Sequence, residues 1–301
     1  MHVILLLFAT LQLAHIGDFK LDNGQTIRNC VIGYRTYGEL AADQSNVIVV
    51  LTWFGGTTEG LQQWIGPNKL YDSSKYYVIA IDAFGDGVSS SPSNGATEDF
   101  TMRDMIRAQH ELLTRELKLD HVLAVSGLSM GGMQTFQWIA SYPEFMSKAI
   151  PIVGSPKLTT YDLLFWKSEL SAIGEPGGLR AAADMNEMHL YTPAWINAHV
   201  TDIDRRMREH EHSLLIHNNV NDYASQLRLM IGLDTGAPPA KLPQMLVVIS
   251  EQDLTVNPAP ARDFARATSS QLLTLTSDCG HLATSCESDR LTAEVQRFLA
   301  H

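Results

Sequence analysis

Four runs of the chain are apolar at nearly every position: Val47 to Leu51, Tyr77 to Ile81, His121 to Val125 and Ala149 to Val153. A strand with one solvated face alternates apolar and polar residues, so continuous runs of this length predict strands covered on both faces, as in a parallel sheet. Between the second and third runs, Thr101 to Lys118 places Met102, Ile106, Leu113 and Leu117 on one helical stripe, with Thr101 and Asp104 set to cap its start. Two more strand runs follow late in the chain, Gln244 to Ser250 and Gln271 to Thr276, separated by a helix starting near Pro258. Leu291, Val295 and Leu299 then repeat every fourth residue in a last helix. This alternation predicts an α/β fold with a mostly parallel central sheet flanked by helices.

Residues 157–241 interrupt the pattern with helical segments and polar connectors and no convincing buried strand. They read as an inserted helical lid, which leaves a core assembled from residues 15–156 and 242–301. Its Trp166, Met185, Met188, Tyr191, Trp195 and Met230 are suited to packing the insertion down, with a minority lining a pocket mouth. Val3 to Ala9 is a short apolar run that reads either as the core of an export signal cleaved after Ala14 or as a first strand. Cys30, Cys279 and Cys286 are an odd set, and Cys279 and Cys286 are near enough to close a small loop if the protein is exported.

With 22 Lys plus Arg against 33 Asp plus Glu, the chain carries a formal charge of −11, which disfavours a nucleic-acid partner. No apolar run approaches the ~20 residues of a membrane-spanning helix. The 45% apolar and 18% charged residues are those of a globular protein with a large core.

The strongest local signal is Gly127-Leu128-Ser129-Met130-Gly131-Gly132, a G-x-S-x-G between a buried strand and a helical stretch. That context is the one a nucleophile elbow requires. A serine hydroxyl needs a histidine to take its proton, and the histidine needs an acid to hold its tautomer. Asp253 follows the run Gln244 to Ser250 and is the candidate acid, with Glu251 its local competitor. His281 follows the last strand and, of the 11 histidines, it alone has this placement. Backbone N–H groups of Met130 and of Phe54, in the loop Thr52-Trp53-Phe54-Gly55-Gly56, are the candidate oxyanion donors. His210 and His212 stand two apart on a helix, so they face different ways and read as part of a solvated charged helix. Asp82 and Asp86 lie among glycines, but no phosphate-loop pattern accompanies them, and they read as loop structure near the pocket rim. No cofactor and no metal is expected.

With these pieces placed, the chain resembles the homoserine O-acetyltransferase-like branch of the α/β-hydrolase superfamily. Gly33-Tyr34-Arg35-Thr36-Tyr37-Gly38-Glu39-Leu40, Trp64-Ile65-Gly66-Pro67, Arg103-Asp104-Met105-Ile106-Arg107-Ala108-Gln109 and Ser129-Met130-Gly131-Gly132-Met133-Gln134 carry the likeness. The resemblance implies the α/β-hydrolase fold, a triad of Ser129, Asp253 and His281, a helical lid, and frequently a homodimer formed through the lid. Homoserine-using members usually place an acidic residue after the catalytic histidine and an arginine in the early lid. Here Leu282 follows His281, and Phe165 to Ile173 has no arginine. The Leu51 to Thr57 loop, which departs from the Leu-Thr-Gly pattern of those transferases, and Ser89-Ser90-Ser91-Pro92-Ser93-Asn94 look more like the esterases of this branch.

The expected function is therefore a serine esterase of carboxylesterase or acetylesterase type, cleaving short-chain acyl esters of small molecules, with water as acceptor. The alternative is an O-acyltransferase that moves an acetyl group from acetyl-CoA, then a co-substrate, to a hydroxyl.

Overall fold

The computed structural model describes residues 9–301, so the expectation for Val3 to Phe8 lies outside the described residues. The strands are β1 (Gln12–Lys20), β2 (Thr26–Tyr37), β3 (Val47–Leu51), β4 (Tyr77–Ile81), β5 (Val122–Leu128), β6 (Met146–Ile152), β7 (Gln244–Ser250) and β8 (Gln271–Leu275). They form one sheet in the order β1-β2-β4-β3-β5-β6-β7-β8. Pairing is antiparallel from β1 through β2 to β4 and parallel everywhere else. The hairpin of β1 and β2 has no counterpart among the sequence-predicted strands, because β1 buries only part of one face at the sheet edge and carries His15, Asp18 and Lys20 among its apolar residues.

Helices α1 (Met102–Glu111) and α2 (Met130–Ser141) belong to the first half of the core. Five more, α3 (Thr160–Ile173), α4 (Gly178–Leu190), α5 (Pro193–His199), α6 (Ile203–His217) and α7 (Val220–Ile231), lie between β6 and β7. After β7 come α8 (Ala259–Ala267), the short α9 (Ala283–Cys286) and α10 (Ser288–Ala300). The Thr101–Asp104 capping box starts α1 as the sequence predicts, and the helix gives way at Leu112–Glu116 to a wider π-type turn.

Alternation along the central strands divides the core. Val47, Val49 and Leu51 pack on one face of the sheet, with Met105 and Ile106 of α1 and Phe136 of α2. Ile48 and Val50 pack on the other, with Leu291, Val295 and Leu299 of α10. All three of these leucine and valine side chains are buried, a contribution of roughly 1.5–3 kcal/mol each. The buried Lys148 ammonium of β6 donates to the carbonyls of Phe298 (3.0 Å) and Leu299 (2.8 Å), placing a cation at the C-terminal end of the α10 dipole.

Candidate active site

Strand β5 runs three residues further than its apolar stretch suggests, because Ser126 buries its hydroxyl between the Ile150 carbonyl (2.8 Å) and the Tyr71 hydroxyl (2.7 Å). It therefore delivers the chain directly to Ser129, which turns sharply at φ 57°, ψ −118° into α2. Two glycines make that turn sterically feasible. A Cβ on Gly127 would stand 2.5 Å from the Gly131 carbonyl carbon, and one on Gly131 would stand 2.4 Å from the Leu51 carbonyl oxygen.

The turn places the Ser129 hydroxyl 2.8 Å from Nε2 of His281, whose Nδ1 lies 2.7 Å from an Asp253 oxygen. With the proton on Nδ1, the ring donates to Asp253 and accepts from Ser129. Asp253 and His281 are both buried. The other Asp253 oxygen accepts the backbone N–H groups of Thr255 (2.9 Å) and Val256 (2.8 Å), which fix the carboxylate as an acceptor. Glu251, the competing acid, points away and pairs with Arg262 at 2.5 Å. The loop bearing His281 is held by the Ser250 hydroxyl, which donates to the Gly280 carbonyl at 2.6 Å, and is closed by a disulfide between Cys279 and Cys286.

Met130 opens α2, where a first-turn N–H has no intrahelical acceptor. The Phe54 N–H finds no acceptor among the described residues, and both Phe54 and Ser129 line one cavity. The loop carrying Phe54 is fastened from below. Trp138 Nε1 donates to Gln109 (2.9 Å), Gln109 to Gln134 (2.8 Å), and Gln134 to the Thr52 carbonyl (2.9 Å). At the far end Asp82 accepts the Thr58 N–H (2.6 Å) and hydroxyl (2.8 Å), and Arg35 Nε donates to the same hydroxyl at 3.2 Å. Three sequence segments shared with the resembled family thus meet beneath this loop.

A family model for the α/β hydrolase fold matches residues 46–284. The chain belongs to the α/β-hydrolase family. Among curated proteins, this α/β-hydrolase is 38% identical over 161 residues to a probable esterase of Corynebacterium glutamicum, covering 50% of the chain and 46% of that protein. It is 35% identical over 170 residues to the ethyl acetate hydrolase of Pseudomonas veronii, covering 54% and 49%. A homoserine O-acetyltransferase of Methanosarcina acetivorans matches at 36% over 172 residues, covering 50% and 32%. The match thus spans about half the length of the esterase relatives, or less. In three dimensions the acetyl esterase MekB superposes at a TM-score of 0.92, with 24% identity over 97% of both chains. A homoserine O-acetyltransferase from Bacillus anthracis superposes at 0.85, with 20% identity over 97% of this chain and 100% of that one. This α/β-hydrolase stands nearer the esterase-type members than the homoserine transferases.

The cavity over Ser129 encloses about 690 Å³. Its aromatic lining comes from Trp53, Phe54 and Trp64 of the core and Trp166 and Tyr223 of the lid, and the lid adds a polar wall of Asn186, His210, Ser213, His217 and Asn218. Of the six lid residues singled out in the sequence, with a minority expected at the pocket mouth, Trp166 alone lines the cavity. Met230 is buried instead, Met188 is exposed, and Tyr191 stacks on Trp195 with the Arg206 guanidinium over both. His210 is half-buried on α6, a helix that is otherwise solvated as its charge suggested. It packs 3.2 Å from Glu187, and burial lowers its pKa. His212 is exposed, and no metal-ligating cluster occurs among the described residues. Asp82 lies against the end of the Phe54 loop at Thr58, Asp86 accepts the N–H groups of Val88 and Ser89, and neither lines the cavity. Burial raises both pKa values, and their proximity raises that of Asp86 further.

Sequence reasoning missed Glu169. It is fully buried in α3, accepts the Tyr223 hydroxyl at 2.5 Å, and leaves its second oxygen without a partner. Burial pushes its pKa up to about 8. The Tyr223 ring in turn packs on Phe54, with centroids 4.3 Å apart. A lone Glu in a helical stretch gives no sign of such a role, which arises only when α3 and α7 pack together.

Proposed function

We propose that this protein is a serine esterase that cleaves short-chain acyl esters through an acyl-enzyme. The hydrogen-bonded series Ser129–His281–Asp253 opening onto a cavity carries the reading. His281 Nε2 takes the hydroxyl proton as Ser129 Oγ attacks the ester carbonyl, and Asp253 stabilises the imidazolium. The N–H groups of Met130 and Phe54 receive the developing oxyanion. Collapse breaks the ester bond, and His281 returns the proton to the departing alcohol. Water, deprotonated by the same histidine, then attacks the acyl-enzyme and releases the acid and Ser129. The esterase relatives and Leu282 beside His281 favour water over an amino-acid acceptor, since nothing ionic at that position would hold an ammonium or carboxylate.

Ser129→Ala should lower kcat on p-nitrophenyl acetate by at least ~10⁴-fold, since members of such a set act as a unit. Parental turnover in that variant overturns the assignment. Acetyl-CoA with homoserine tests the transferase alternative: formation of O-acetylhomoserine faster than hydrolysis would replace water as the acceptor. A homodimer through the lid is part of the same proposal. Leu164 (α3), Met188 (α4), and Ile203 and Ile216 (α6) expose more than half of their surfaces, which supports such an interface.

A further inference from the structure

A buried lid side chain is hydrogen-bonded to the oxyanion loop. Gln226 of α7 accepts the Gly55 N–H at 2.8 Å and donates its own N–H to the Phe84 carbonyl at 3.1 Å, and it is fully buried. Both of its contacts lie in core loops that follow strands, Gly55 after β3 and Phe84 after β4. Gly55 has φ +67°, and a Cβ there would stand 2.9 Å from the Asn218 side-chain oxygen, so both the backbone and the adjoining lid residue favour glycine at this position. One turn earlier on the same face of α7, Asp222 accepts the Ser93 N–H (2.8 Å) and hydroxyl (2.5 Å). The Phe54 ring, one residue before Gly55, packs between Trp166 of α3 and Tyr223 of α7. The residue offered as an oxyanion donor is therefore gripped by lid residues on its ring and by Gln226 at the next peptide.

We infer that Gln226 is a positioning residue for the reaction: by fixing the Gly55 peptide it sets the direction of the Phe54 N–H, so that α7 of the lid completes the oxyanion site. This inference rests on the esterase reading above. Its physical content is that an oxyanion donor acts only when it is aimed before the charge develops, and that a small displacement forfeits most of the effect.

The test is Gln226→Met, which keeps side-chain length and removes both hydrogen bonds. We expect kcat on p-nitrophenyl acetate to fall by ~10–10²-fold with KM little changed. Affinity for an aryl trifluoromethyl ketone, whose Ser129 adduct carries an oxyanion, should fall in the same ratio as kcat/KM. Asp222→Asn is the control for loosening of α7. It removes a charge from the same helix face without touching Gly55, and it should leave the kcat loss unreproduced. A parental kcat in folded Gln226→Met, or an equal loss in Asp222→Asn, overturns the inference. If Gln226→Met does not fold, amide exchange in the parent protein decides. The Gly55 N–H should exchange slowly with or without the ketone, and the Phe54 N–H should become slow only when the ketone is bound. Fast Gly55 exchange in the free protein overturns the role of Gln226. Failure of Ser129→Ala to lose activity would overturn the esterase reading instead, so the two failures remain separate.

Discussion

Ser129 sits in a backbone conformation that non-glycine residues avoid, at a cost of order 1–3 kcal/mol that the packing of β5 and α2 offsets. The sequence reveals this residue because the glycines that permit the turn are its near neighbours. His281 and Asp253 are legible for a related reason, each following a strand whose apolar run is plain. Glu169 and Gln226 are not, because their partners lie 54 and 171 residues away. Glu169 makes a prediction of its own. With a folded pKa of about 8 against an ordinary 4.5, the folded protein holds a proton that the unfolded chain releases between those values. Stability contributed by the neutral carboxyl is complete below pH 4.5 and should fall by up to about 1.4 kcal/mol per pH unit, until it is lost above pH 8. Glu169→Gln should flatten that slope, which urea midpoints measured across the interval would show. An unchanged slope would place its origin elsewhere.

At the scale of elements, the elbow depends on how closely α2 approaches β3. Gly131→Ala must push a methyl group into the Leu51 carbonyl and so displace Ser129 or the strand. We expect thermal stability and kcat to fall together, by ~1–3 kcal/mol in the first. A folded variant with parental kcat would show that the approach can relax. The lid element α3 contributes Trp166 to the cavity, so Trp166→Ala should shift preference toward longer acyl chains, each added methylene being worth ~1–3 kcal/mol in an apolar pocket. Rates on p-nitrophenyl acetate, butyrate and octanoate would measure this, and an unchanged ranking would remove Trp166 from the acyl subsite. The central strands were legible because they are apolar on both faces. The β1–β2 hairpin was not, because an edge strand half open to solvent leaves a broken pattern.

For the whole molecule, the alternation of strands and helices and its interruption after β6 sufficed to anticipate the architecture. The character of the cavity was hidden, since its polar wall comes from separate lid helices that no linear pattern brings together. One feature of the loop next to that cavity ties the reaction to the surroundings of the protein. The disulfide brackets His281 within a short ring, with Cys279 buried and Cys286 exposed to solvent. A disulfide with one cysteine at the surface can be reduced by a small thiolate that reaches it, and opening so short a ring returns on the order of 2 kcal/mol of chain entropy to the unfolded state. Cys286→Ser should therefore lower the melting temperature and kcat without greatly changing KM, and dithiothreitol should bring the parent enzyme to the same values. If dithiothreitol reduces the bond and turnover stays the same, the hydrogen bond from Ser250 to Gly280 suffices to seat the histidine. Otherwise the turnover rate of the proposed reaction would itself be a gauge of the thiol balance around the protein, falling in reducing surroundings and recovering when the ring closes again.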